Sequence, residues 1–170
     1  LEFVEIGDPK YPNHVSGKMS DTNVRRLTIL KQGQGRDDLP PNLQLETQNR
    51  NPHHSHADTY GRMRWDDLSP TLTTGFNSIT KGRFGHPSKT RAVTMREGAR
   101  LHGFPDDYVF TGTLTQVSRQ IGNAVCPPVA EAIARSFMKR RKISLNELTR
   151  VIEVRGQQVK LSHNESSVFY

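Results

Sequence analysis

The sequence predicts a small, irregular α+β fold, and three observations predict it. Only 33% of the 170 residues are hydrophobic and 7% aromatic. That is thin apolar material for this length, so the chain is loop-rich or leans on a partner surface. The strand-like pieces between residues 60 and 93 are short and broken by turn residues. The helix starts are marked by capping boxes and prolines. The length leaves room for one domain, or for two small pieces sharing a core.

Residues 1–19 read as extended loop, punctuated by Asp8-Pro9 and Tyr11-Pro12-Asn13. Ser20-Asp21 opens a helix with Val24, Leu27 and Leu30 on one face and Arg25, Arg26 and Lys31 on the others, ended by Gly33 and Gly35. Pro40-Pro41 begins a polar stretch to about residue 58, without helical or strand period. Residues 68–75 suggest a short strand and residues 75–85 a polar loop, with another short strand at 91–93. Thr94 and Glu97 form a capping box for a short helix that Gly103 and Pro105 stop.

A helix then starts at Pro127 or Pro128, with Val129, Ile133, Ala134 and Phe137 as its apolar positions. It ends in Lys139-Arg140-Arg141-Lys142, cations suited to a helix C-terminus and more often solvated than ligand-bound. Ser144 and Glu147 make a further capping box and predict a helix from Leu145 to about Val154. The Gln120–Ala134 stretch joins a Gly122-Asn123 turn to this proline start, and Gly122 is expected to supply a conformation that other residues avoid.

The net charge of +7 and a pI near 9.9 suit an anionic partner such as nucleic acid, although a solvated basic surface has the same composition. A single cysteine, Cys126, excludes an intrachain disulfide framework and a cysteine-rich zinc site. It fits a reducing, cytoplasmic setting. No apolar run approaches the roughly 18 residues that span a bilayer, so no membrane partner is expected. No signal-peptide pattern stands at the start. Leu1 opens the sequence, so a piece of a longer protein or a processed chain is expected. His53-His54-x-His56 has no cysteine or carboxylate cluster at ligand spacing and reads as polar loop, with no metal site.

The string Arg91-Ala-Val-Thr94-Met-Arg-Glu97-Gly-Ala-Arg100-Leu101-His-Gly103-Phe104-Pro105 resembles the ninth motif of DNA (cytosine-5) methyltransferases, Arg-x-Leu-Thr-x-x-Glu-x-x-Arg-Leu-Gln-Gly-Phe-Pro. Gln120, Gly122, Asn123, Val125 and Pro127 match their tenth motif, Gln-x-Gly-Asn-x-Val-x-Pro. Pro70-Thr71-Leu72-Thr73 resembles the Thr-Leu element of the family's target-recognition domain, flanked by Arg62-Met-Arg64-Trp65-Asp66 and Gly82-Arg83-Phe84-Gly85-His86-Pro87. Pro12-Asn13-His14 and Ser20-Asp21-Thr22-Asn23 are similar to the entry into that domain. The resemblance covers about residues 10–138.

The resemblance implies the C-terminal portion of such an enzyme. Residues 1–90 would form the target-recognition domain. Residues 91–142 would return to a doubly wound α/β catalytic domain, mostly outside this chain. Residues 143–170 would be an extension of unassigned role. Asn123, Ala124 and Val125 would line a site for S-adenosylmethionine shared with the catalytic portion or a second subunit. Arg62, Arg64, Thr71, Leu72, Thr73, Thr74, Gly75, Asn77, Ser78, Lys81 and Arg83 would meet double-stranded DNA. Arg and Lys suit guanine edges or phosphates, and Asn suits adenine.

In the family a cysteine in a Pro-Cys dipeptide adds to C6 of a flipped cytosine, C5 takes the methyl group, and a base removes the C5 proton. Cys126 follows valine and reads as a small apolar filler. No catalytic residue is assigned here, and the chain is expected to be inactive alone. The setting implied is a bacterial or phage-type restriction-modification enzyme in the cytoplasm. The rival is a non-enzymatic DNA-binding module derived from a decayed methyltransferase.

Overall fold

The computed structural model describes residues 6–44, 59–141, 152–154 and 157–159. One compact unit ends at Pro127 and a second begins at Pro128.

In the first unit, Ser20 caps helix α1 (Asp21–Ile29), its hydroxyl accepting the Asn23 N–H. Leu27 and Leu30 are buried as expected, whereas Val24 is 38% exposed and Arg26 takes the interior place. Arg26 is stable there because its charge is used. Nε donates to the Leu43 carbonyl, Nη1 donates to Asn23, and the guanidinium lies 4.7 Å from the Tyr60 ring centre. The helix ends at Leu30, whose extended backbone breaks it before either glycine. Single 3₁₀ turns follow at Arg36–Asp38 and Pro41–Leu43.

The short strand expected at 91–93 is reduced to an isolated bridge at Ala92, and the one expected at 68–75 does not form. Arg62 pairs with Gly85, and Gly85 with Ala92. Residues 68–75 make no strand because turn hydrogen bonds, Phe76 N to Thr73 O and Ser78 N to Gly75 O, curl the chain there. The curl drives Phe76 inward. A further 3₁₀ turn, Ile79–Lys81, is capped by the Ser78 hydroxyl.

Helix α2 (Met95–Leu101) starts on the expected capping box. Thr94 Oγ1 accepts the Glu97 N–H, and Glu97 Oε2 accepts the Thr94 N–H. The free N–H groups of Met95 and Arg96 donate to the Val15 and Asn13 carbonyls, which fasten the N-terminal loop to this helix start. Arg96 has no solvent exposure, and its guanidinium donates to the Pro12, Pro105 and Tyr108 carbonyls. Gly98 lets α2 rest on Phe76, since a Cβ there would sit 2.2 Å from the ring edge.

Helix α3 (Leu114–Asn123) was not foreseen. Its start is a capping box of Thr113 and Gln116, and its buried face is Val117, Ser118 and Ile121. The expected turn at Gly122-Asn123 is therefore the last stretch of a helix. Gly122 does not have positive φ; among the described residues the glycines that do are Gly7, Gly33, Gly82, Gly103 and Gly112.

Two apolar clusters hold this unit. One joins Met63, Leu72, Phe76 and Phe84 to Val93, Met95, Ala99, Phe110, Val117 and Ile121. The other joins Leu27, Leu30, Leu39, Tyr60, Ile79 and Ala92. Both clusters cross residue 90, so the boundary expected there does not divide the packing.

Helix α4 (Pro127–Arg141) begins at the expected proline. Glu131 and Arg135 pair one turn apart. Val129, Ile133 and Phe137, spaced four apart, are 50%, 50% and 62% exposed. Strands β1 (Ile152–Val154) and β2 (Gln157–Val159) pair antiparallel with Ile152 opposite Val159. The helix expected to reach Val154 is thus a strand at its far end. Its capping box, Ser144 and Glu147, lies outside the described residues, as does His53-His54-x-His56. No helix among the described residues is long and apolar enough to cross a membrane.

Candidate functional site

The loop at residues 71–78 and the segment Asn123–Val125 are held by the same helix. Ser118 of α3 places its hydroxyl 2.7 Å from the Thr74 carbonyl and 3.2 Å from Asn77 Oδ1. One turn later, Gly122 lies directly beneath the Thr73–Thr74 peptide. A Cβ added to it would be 2.6 Å from the Thr73 carbonyl carbon and oxygen and from the Thr74 nitrogen. Two backbones touch there because residue 122 has no side chain. The chain then leaves α3 through Asn123 into Ala124, whose backbone is extended.

The structure sorts the expected DNA contacts. Arg64, Thr71, Thr73, Thr74 and Lys81 are exposed, and Gly75, Asn77, Ser78 and Arg83 are half-buried. The Lys81 stem runs over Gly75, where a Cβ would lie 3.0 Å from Lys81 Cγ. Arg64 is 3.5 Å from Asp66 in an open ion pair, which surface screening makes weak. Asn77 bonds to Ser118, and Ser78 caps its own 3₁₀ turn, so their polar atoms already serve the loop.

Two expected contacts turn inward. Leu72 belongs to the larger core cluster. Arg62 is 5% exposed and donates to the carbonyls of Leu27, Leu30, His86 and Lys89. Burial lowers its pKa from the ordinary arginine value, yet a guanidinium stays charged in a protein. The carbonyls of Leu27 and Leu30 lie at the negative C-terminal end of α1, which suits a cation. Arg62 is therefore a bolt between α1 and the 86–89 loop, with its donors spent on backbone carbonyls.

The supporting node around Glu97 was not foreseen beyond its capping role. Arg91 meets both carboxylate oxygens at 2.7 and 2.8 Å, and His86 Nε2 lies 3.6 Å from Oε1. His86 Nδ1 accepts the N–H groups of Ser88 and Lys89. The ring proton is therefore on Nε2, facing the carboxylate. Burial pushes Glu97 up, but the Arg91 hydrogen bonds, the Thr94 N–H and the charge of Arg91, with the His86 ring beside them, outweigh it and hold Glu97 below its ordinary value of 4.5. A cleft of about 280 Å³ opens beside this node, between Met63, Trp65, Val93 and Leu101.

A carboxyl held below its unfolded value stabilises the fold fully above pH 4.5, and that stabilisation is lost as pH falls through the folded value. Glu97→Gln should accordingly cost about 1–3 kcal/mol at pH 7 and flatten the acid limb of stability. Urea denaturation of both proteins from pH 7 to pH 3 measures this. Parallel acid limbs would show that Glu97 does not carry the effect.

In the Asn123–Val125 segment, Asn123 is exposed and Ala124 is half-buried, while Val125 is 65% exposed. Ala124 is anchored from two sides. Its N–H donates to Ile121, and its carbonyl lies 2.8 Å from His102 Nε2. Asn123 and Val125 thus set an exposed amide beside an exposed apolar side chain on a fixed backbone. Cys126, next along, is half-buried. His102 escaped the sequence reading, although α3 itself was signalled by Thr113-x-x-Gln116 ahead of Val117 and Ile121. Among the described residues no group of three His, Cys, Asp or Glu stands ready to hold a metal ion.

Over residues 8–139 the chain matches the family described as C-5 cytosine-specific DNA methylase. It is 41% identical over 142 residues to the type II methylase M.HgiDII of Herpetosiphon aurantiacus, an alignment covering 81% of this chain and 40% of that protein. It is 39% identical over 126 residues to DNA (cytosine-5)-methyltransferase PliMCI of Paracentrotus lividus, covering 69% and 8%. With DNA (cytosine-5)-methyltransferase 1 of Mus musculus the identity is 46% over 84 residues, covering 49% and 5%. The chain spans two fifths or less of the length of these relatives.

Proposed function

The chain belongs to the C-5 cytosine-specific DNA methylase family, and from that premise we propose that it is the part of a DNA (cytosine-5) methyltransferase that reads DNA sequence and walls one side of an S-adenosylmethionine site. The observation that carries this reading is the contact of Gly122 and Ser118 with Thr73–Thr74. It gives a hydroxyl- and lysine-bearing loop and the Asn123–Val125 segment a common support. Exposed Thr71, Thr73, Thr74, Lys81 and Arg64 are the groups that face DNA, with the cations on phosphates or guanine edges. Arg62 and Leu72 hold the scaffold behind them.

S-adenosylmethionine supplies the methyl group when bound. The residues of this chain that would hold it are Asn123, through its exposed amide, and Val125, through apolar contact. The nucleophile and the base of the reaction come from the portion of the enzyme that precedes this one. That portion also covers the apolar stripe Val129, Ile133 and Phe137, whose exposure asks for a partner surface.

Transfer of a labelled methyl group to duplex DNA tests the proposal. The chain alone should transfer none. Paired with the upstream portion of its enzyme it should restore transfer, and Lys81→Ala in that pair should raise the KM for DNA severalfold while leaving the KM for cofactor unchanged. Transfer by the chain alone would overturn the division of labour. DNA binding with no transfer in any pairing would favour the non-enzymatic module instead.

A further inference from the structure

His102 closes α2. Its N–H donates to the carbonyls of Gly98 and Ala99, and Gly103 follows at φ +85° to reverse the chain. This cap fixes where the His102 ring points. The ring stacks on Phe104 with 20° between planes and 6.0 Å between centres, and Phe104 packs on Tyr108 and Phe110. His102 Nε2 then lies 2.8 Å from the carbonyl oxygen of Ala124, a residue 22 positions along the chain. A carbonyl oxygen only accepts, so Nε2 carries the proton in this contact.

The Ala124–Val125 peptide is trans, as no cis bond occurs among the described residues. In a planar trans peptide the N–H points opposite to the C=O. Tying the Ala124 carbonyl to His102 therefore turns the Val125 N–H away from the α2 end. It also sets the orientation of an exposed residue.

We infer that His102 is a positioning residue: it fixes the peptide plane of the Asn123–Val125 segment so that the backbone and side chains there present one geometry to the cofactor. The inference rests on the proposed cofactor role of that segment. It does not require His102 to touch the cofactor. In the family motif the corresponding place carries glutamine, whose side-chain amide can also donate to a carbonyl. The two residues are then alternative ways to hold one peptide.

Calorimetric titration of the full-length protein with S-adenosylmethionine tests this, alongside duplex DNA binding without cofactor. His102→Leu keeps bulk against Phe104 and removes the donor. It should weaken cofactor binding about tenfold, the scale of one lost hydrogen bond to a positioned group, and leave DNA affinity within about twofold. His102→Gln should recover most of the loss, because it restores a donor. Asn123→Ala serves as the companion variant. If Asn123→Ala weakens cofactor binding and His102→Leu does not, the positioning role is overturned and the cofactor wall stands. If neither variant changes cofactor binding, the cofactor wall fails and the positioning role with it. Equal losses of cofactor and DNA affinity, unrescued by glutamine, would reduce His102 to a general fold contact and overturn the inference.

Discussion

Replacing Arg62 with methionine should destabilise the protein by about 3–5 kcal/mol, because removing it strips a charged donor from four carbonyls, three of them in buried contacts. The four acceptors are Leu27 and Leu30 at the end of α1 and His86 and Lys89 in the 86–89 loop. Methionine fills a similar apolar volume, so the loss reports the polar contacts more than a cavity. Arg64, two residues away, provides the control. It is exposed and only loosely paired with Asp66, so Arg64→Met should change stability by less than about 0.5 kcal/mol while weakening DNA binding. Urea denaturation of the two variants checks the contrast. A loss for Arg62→Met as small as that of Arg64→Met would mean that the Arg62 bonds are replaced by water at little cost.

Gly122→Ala should lower stability by about 2 kcal/mol or more, since the added methyl meets backbone atoms of a packed loop and cannot rotate away. Three of those atoms, Thr73 C and O and Thr74 N, would be 2.6 Å from the new Cβ. Relief requires the 71–78 loop to lift from α3, which strains the Ser118 bond to Thr74. The functional loss should therefore exceed the stability loss. Affinity for DNA and affinity for cofactor should fall together in the complete enzyme, because the loop and the Asn123–Val125 segment share α3. Gly17→Ala is the control, since its nearest neighbour would be the Asn77 carbonyl at an ordinary 3.9 Å. Thermal melts with parallel binding titrations measure both effects. A Gly122→Ala protein with normal stability and normal DNA binding would remove the proposed common support.

What could be read from the sequence was what short-range chemistry decides. The Ser20 cap, the Thr94–Glu97 capping box and the proline start at residue 127 each involve groups within a few residues of one another, and each appears in the structure. Thr113 and Gln116 gave the same kind of signal for α3, but the Gly-Asn pair downstream drew the reading toward a turn. Residues 152–159 went the other way. Ile152 and Val154 lie opposite Val159 and Gln157, so strand pairing takes the far end of the helix expected to reach Val154.

The sequence by itself determined the family and the starts of α1, α2 and α4, because these are written in ordered local strings. The tertiary structure alone decided which side of the surface each residue serves. Arg62 and Arg64 are the same residue type two positions apart. One ends in a ring of carbonyls and the other in solvent, and no local pattern distinguishes them. The same holds for Gly122, whose value lies in the Thr73–Thr74 backbone pressed against it, and for His102, whose partner Ala124 is reached only when α2 and α3 pack. Burial and contact between distant segments are properties of the folded chain, so no local string of the sequence contains them.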